Sequence, residues 1–166
     1  MNAADFKDLA RQAEALDPWP DPRFPPSPYY RFFRLLTARL QPGLCVELGT
    51  CGGGGALHMA LGWPDGTVIG VDKSNDYPDN IAYVEERCPN YTFLRGDSVA
   101  LATEIGALGN IGLLFIDTVH TYERTWDEFN AYRPYLAENA VICLDDLFRP
   151  GMEEVWYELP VPHKMR

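Results

Sequence analysis

The chain is predicted to fold as an α/β domain, doubly wound around a mainly parallel sheet, and three observations in the sequence carry that expectation. From residue 44 onward, short and continuously apolar segments alternate with segments of helical periodicity, as in a sheet covered on both faces. The stretch Leu44 to Leu57, LCVELGTCGGGGAL, passes from an apolar run through Glu47 and Gly49 into four consecutive glycines and then into helix-forming residues. It reads as strand, tight turn and helix, the arrangement that brings backbone close to a ligand at a helix N-terminus. Finally, all five apolar segments end in or near an acidic residue: Glu47, Asp72, Asp97, Asp117 and the pair Asp145-Asp146.

In order, Phe6, Leu9, Ala13 and Leu16 are spaced for an amphipathic helix over 5–16. Asp17 to Pro28 contains six prolines, with Trp19 and Phe24 among them, and reads as a stiff extended connector. A second helix, about Tyr29 to Leu40, carries Phe33, Leu36 and Leu40 on one stripe and is ended by Pro42-Gly43. Residues 1–42 therefore form a helical and proline-rich cap, either a plain cover for the sheet or a lid over a substrate, and 43–166 form the main domain.

Beyond the glycine stretch, Thr67 to Asp72 is a strand and Pro78 to Arg87 a helix stopped by Pro89. Tyr91 to Asp97 is a strand, with Ser98 as N-cap of the helix carrying Leu101, Ile105 and Leu108. Ile111 to Asp117 is a strand, Glu123 to Leu136 a helix, and Ala140 to Asp146 the fifth strand. Val155 to Leu159 (VWYEL) reads as one more strand.

The totals narrow the function. A length of 166 residues with 46% hydrophobic composition supports one domain with a proper core. A formal charge of −10 argues against a protein that grips nucleic acid through its phosphates, and favours a neutral or cationic small molecule. The four cysteines form no C-x-x-C pair, which points away from zinc and disulfides and towards a reducing cytoplasm. No apolar run has the length of a membrane span, and the N-terminus lacks a signal-peptide core.

In a doubly wound sheet the carboxyl ends of the strands share one edge, where ligands bind, so the strand-end acids converge there. Asp72, ending the second strand, is placed to accept hydrogen bonds from ribose hydroxyls. Neighbouring strands lie about 4.8 Å apart, so Asp117 and Asp145-Asp146 can meet on one hard cation such as magnesium. The alternative for these last residues is an acidic turn without a metal. A dinucleotide oxidoreductase fits less well, because GTCGGGGALH lacks the G-x-G-x-x-G spacing.

These residues resemble the class I S-adenosylmethionine-dependent methyltransferases over roughly Gly43 to Leu147. Glu47, Gly49 and Gly53 match the family pattern E/D-x-G-x-x-x-G, and ELGTCGGGGAL is similar to the small-molecule O-methyltransferase branch that includes catechol-type, antibiotic-sugar and cephalosporin hydroxylase-type proteins. The resemblance implies a Rossmann-like fold binding S-adenosylmethionine. Glu47, Gly49, Thr50 and Gly53 would surround its methionine part, Asp72 and Lys73 its ribose, and Asp97 with Ser98, in the RGDS segment, its adenine. It also implies a divalent cation, Mg2+ or similar, on Asp117, Asp145 and Asp146, orienting a hydroxylated small molecule such as a sugar or a catechol-like diol.

The segment FIDTVHTYE is similar to the family's F-I-D-G-D-H-S-Y-E, with Thr118 and Val119 in place of its Gly and second Asp. That second Asp is a candidate base in sugar-modifying relatives. His120 is then the best remaining proton acceptor beside Asp117, with a structural or metal-supporting role as the alternative. His58 is expected to be a packed helix residue, and Tyr122 with Glu123 a helix start. The family closes its sheet with a hairpin of two further strands, for which this chain has too little room. Either further sequence or a partner subunit, a second copy included, supplies that edge, or it has been lost and the chain binds the cofactor without transferring a methyl group.

Overall fold

The computed structural model describes residues 2–16, 23–24, 27–162 and 164. Most of the proline-rich connector, with Pro18, Pro20, Pro22, Pro25, Pro26 and Trp19, lies outside the described residues. Helices α1 (Ala3–Ala15) and α2 (Pro28–Leu40) precede β1 (Leu44–Leu48), α3 (Gly54–Gly62), β2 (Thr67–Asp72), α4 (Pro78–Arg87) and β3 (Tyr91–Arg95). Then come α5 (Ser98–Gly106), β4 (Ile111–Ile116), α6 (Tyr122–Tyr132), a 3-10 turn (Arg133–Tyr135), β5 (Leu136–Leu144) and α7 (Met152–Glu158). The doubly wound α/β fold expected from the sequence is the one observed.

All neighbouring strands are parallel, in the order β3-β2-β1-β4-β5. The order reverses between β1 and β4, which opens the crevice there. Side chains alternate between faces along each strand, and the register places Glu47 beside Gly70 and Phe115, and Phe115 beside Cys143. The ladder runs on past the strand ends, with Asp117 N–H donating to Leu48 O and Asp145 N–H to Ile116 O. Two-residue alternation therefore puts Glu47, Asp72, Asp117 and Asp145 on one face. That face packs under α2 and α3 through Phe33, Leu36, Leu57, Met59, Cys45, Leu113 and Phe115. The other face buries Val46, Val71, Leu114 and Ile116 against Ile105 of α5, Phe129 and Tyr132 of α6 and Val155 of α7.

Several boundaries differ from the sequence reading. Strand β3 stops at Arg95, because Asp97 leaves the sheet to cap α5, its carboxylate accepting from Val99 N–H and Ala100 N–H. Asp97 is thus the cap, and Ser98 is the first helical residue. Pro134, which cannot donate, ends α6 in a 3-10 turn, so that Leu136 opens β5 rather than closing the helix. The segment expected as a sixth strand is helix α7: Met152, Val155 and Leu159 are buried at helical spacing, which overrides the strand propensity of Val155, Trp156 and Tyr157. Among the described residues the sheet ends at β5. No helix among them is long and apolar enough to cross a membrane.

Candidate active site

The glycine stretch turns at Gly49, where φ is 85° and a Cβ would collide with the carbonyl oxygen of Asp117. Only glycine allows the end of β1 to pass so close to the end of β4. The amides of Gly49 and Thr50 both donate to Val71 O, at 2.8 and 3.0 Å, which ties the loop to β2. Gly53 adopts φ 80° and caps α3.

Gly54 and Gly55 have a different reason to be glycine. A Cβ on Gly54 would lie 2.7 Å from Cζ of Tyr30, and one on Gly55 would collide with the Glu47 carboxylate. That carboxylate is buried and accepts from Thr50 Oγ1 at 2.5 Å and Ala56 N–H at 3.0 Å. Burial pushes Glu47 up to about 8, against the lowering effect of the Thr50 hydrogen bond. It braces the loop from below. Asp72 braces it from the side, accepting from Cys51 N–H at 3.0 Å and Ser74 N–H at 3.2 Å.

At the ends of β3 and β4 the expected Asp97 and Ser98 belong to a larger polar network. Asp97 pairs with Lys73 Nζ at 3.3 Å and Arg124 Nη2 at 3.1 Å. Desolvation works to raise its pKa, but the Ala100 amide, Lys73 and Arg124 outweigh it and hold the carboxyl below its usual range. Glu128, fully buried on α6, accepts from Ser98 Oγ at 2.5 Å, Thr118 Oγ1 at 2.8 Å and Arg124 Nε at 3.0 Å. Thr118, which stands where the resembling segment has Gly, thus links the β4 loop to α6. Sequence reasoning missed Arg124 and Glu128. Their signal was an i,i+4 charge pair on the stripe that also carries Thr125, Phe129 and Tyr132.

On the β4 and β5 side, Asp117, His120 and Asp145 each offer one ligand atom, all within 4.8 Å of one another. His120 Nε2 lies 3.0 Å from Asp117 Oδ1 and 3.8 Å from Asp145 Oδ2. The His120 backbone is left-handed, with φ 50°, a conformation that costs a non-glycine residue about 1 kcal/mol and is here set by the short turn into Thr121, the N-cap of α6. Burial and then the charge of Asp145 push Asp117 up to about 6. Asp146 stands apart: its carboxylate accepts from Arg149 Nε at 2.5 Å and lies 3.9 Å from His120 Nδ1. The expected third carboxylate of the cluster is thus replaced by an imidazole.

The donor set fits a divalent cation. Two carboxylate oxygens and an imidazole nitrogen suit magnesium or a first-row transition metal, and a cation would offset both the burial and the Asp145 repulsion that raise Asp117. Val119 is 62% exposed and offers no acid–base chemistry. His58 is buried and stacked on Tyr30, with burial and then Arg34 and Arg31 lowering it to about 4, so it is a packed neutral residue as expected. Tyr122, at the start of α6, donates to Glu158 Oε2 at 2.6 Å.

Residues 46–147 match a family model described as a methyltransferase domain. A comparison with curated proteins finds no match. Among solved structures, a methyltransferase from Geobacter sulfurreducens superimposes with a TM-score of 0.67 at 19% identity, over 95% of this chain and 77% of that one. The O-methyltransferase from Bacillus cereus, solved in complex with SAH, gives 0.65 at 18% identity over 91% and 70%. The O-methyltransferase TomG from Streptomyces achromogenes, involved in tomaymycin synthesis and solved with SAM, gives 0.66 at 15% over 98% and 73%. At these identities the structures speak for the fold, and the family match covers more than half of the sequence. The chain belongs to the methyltransferase-domain family.

Proposed function

We propose that the chain is an S-adenosylmethionine-dependent O-methyltransferase that acts on a hydroxyl of a small molecule with help from a divalent cation. One observation carries the reading: the close approach of Gly49 to the Asp117 backbone sets the glycine loop directly beside the Asp117, His120 and Asp145 cluster. A donor bound on the loop and an acceptor bound at the cluster are then neighbours, as direct transfer requires.

When bound, the cofactor supplies an activated methyl group on a sulfonium. The chain's part is to hold it: the Gly49 to Gly53 loop along the methionine portion, Asp72 at the ribose, and Asp97 with Lys73 and Arg124 at the adenine end. Asp117, Asp145 and His120 Nε2 would hold the cation, which supplies Lewis-acid polarisation of the acceptor hydroxyl. His120 serves there as a ligand rather than as the base. Methyl transfer would join the acceptor oxygen to the methyl carbon as the sulfur–methyl bond breaks, with the electron pair left on sulfur and the hydroxyl proton released to solvent.

Calorimetric titration with S-adenosylmethionine, followed by methyl-transfer assays on sugars and catechol-like diols, tests the proposal. A ligand at about 100 times its dissociation constant adds about 2.7 kcal/mol of stability. The absence of both a heat of binding and a thermal shift with this cofactor would overturn the reading. A second reading is a protein that binds the cofactor without transferring methyl. Binding with no turnover on any hydroxylated acceptor would favour it.

A further inference from the structure

The cap over the active face contributes more than cover. Helix α2 begins at Pro28, whose fixed φ suits the first helical position, and its first turn presents Tyr29 and Tyr30 as an edge-to-face pair, ring centroids 4.6 Å apart. The two rings point to different halves of the site. Tyr30 lies against Gly54 at the start of α3 and stacks on His58 at 5.8 Å. Tyr29 lies over β4, 6.3 Å from Phe115, and is braced edge-on by Phe33 at 6.1 Å.

Phe115 is two residues before Asp117 on the same strand face and pairs in register with Cys143, two residues before Asp145. Tyr29 therefore stands over the strand ends that carry both carboxylates of the cluster. Its side chain is only partly covered, at 38% exposure, although its ring is fixed by three aromatic neighbours. A partly exposed phenol on an anchored ring is a preorganised hydrogen-bond donor.

We propose that Tyr29 is an acceptor-binding residue: its phenolic O–H donates to the oxygen that receives the methyl group, on the side opposite Asp117 and Asp145. The inference rests on the O-methyltransferase reading above and adds to it a residue from the N-terminal cap. Burial first, and then the charges of Asp117, Asp145 and Glu47, raise the Tyr29 phenol above its ordinary value, opposed by its hydrogen bond with Tyr30. The group thus stays protonated at working pH, a donor and never a base. Donation to an oxygen that gains negative charge is stronger than to a neutral one, so the contact favours the reacting form of the acceptor.

The experiment compares wild type, Tyr29→Phe and Tyr29→Ala, each saturated with Mg2+ and S-adenosylhomocysteine. Two probes, catechol and a cyclic cis-diol sugar, are titrated calorimetrically. Tyr29→Phe keeps the ring contacts and is expected to weaken the better-bound probe about tenfold, as loss of one hydrogen bond to a charged partner does. Its melting temperature and its affinity for S-adenosylhomocysteine should match wild type, while Tyr29→Ala should also lower the melting temperature. Where turnover is measurable, kcat/KM should fall in the Phe variant with the cofactor KM unchanged. Equal probe affinity in wild type and Tyr29→Phe would overturn the proposal, as would failure of wild type to bind either probe. A probe that binds through Tyr29 but is never methylated would leave this assignment standing and count against the O-methyltransferase reading instead.

Discussion

Nε2 of His120 lies 3.0 Å from Oδ1 of Asp117, so the imidazole and the carboxylate at the end of β4 act as one unit. With Asp145 they form a three-point site in which the histidine takes the place that a second aspartate of the β5 turn was expected to fill. His120→Ala and Asp145→Asn should each lower Mg2+ affinity by at least about tenfold, by isothermal titration. Asp146→Asn should change it far less, because its carboxylate is engaged by Arg149. Loss of methyl transfer on chelation, with recovery on adding Mg2+, is expected in wild type. Activity indifferent to chelator would remove the metal from the scheme.

The raised pKa of Asp117 has a signed consequence for stability. Its folded value, about 6, exceeds the unfolded value of about 3.9, so the folded chain holds the proton longer. The stability this provides is fully present below about pH 4 and is lost as pH rises through about 6. Without metal, the difference in unfolding free energy between wild type and Asp117→Asn should change by about 3 kcal/mol across that window, wild type losing ground as pH rises. Mg2+ affinity should run the other way and tighten over the same range. A difference that stays flat from pH 4 to 7 would contradict the assigned shift.

Gly54 and Tyr30 offer a packing test by double mutation. Gly54→Ala sets a methyl group against the Tyr30 ring and should cost about 1 to 3 kcal/mol in denaturant unfolding. Combined with Tyr30→Ala, the glycine substitution should cost much less, because the space it needs is then free. Strict additivity of the two effects would mean that the ring does not determine this glycine.

The buried carboxylate of Glu128 depends on Arg124, whose Nε lies 3.0 Å from its Oε1. Arg124→Ala should destabilise the chain by about 3 to 5 kcal/mol, since it leaves a buried charge uncompensated. Adding Glu128→Gln should restore part of the loss, as judged by the denaturant midpoint at constant m-value. No rescue by the second substitution would assign the effect to lost packing of the arginine stem instead.

The sequence by itself determined the layered fold, the glycine turn and the strand-end acids, because each is written in local pattern: apolar runs for buried parallel strands, helical spacing between them, and glycine where the chain turns sharply. Asp72, Asp97, Asp117 and Asp145 stand at the ligand edge because strand ends share that edge. The pair Asp145-Asp146 could not be resolved from pattern alone. Past the end of β5 the Asp146 backbone turns left-handed and its carboxylate goes to Arg149, so only Asp145 of the two joins Asp117, and the left-handed turn at His120 brings the imidazole beside them.

Tertiary packing decided the rest. Val155 to Leu159 became helix α7 because its apolar residues had α6 to lie against, and no neighbouring strand, in the described chain. Glu128 could be recognised as the centre of a buried network only when Ser98 and Thr118, 30 and 10 residues away, were brought to it beside Arg124 of the preceding helical turn. Tyr29 reads in sequence as one more aromatic on an amphipathic helix. Its place over Asp117 and Asp145 depends on how α2 crosses the sheet, and that is set by long-range contacts that no local spacing records.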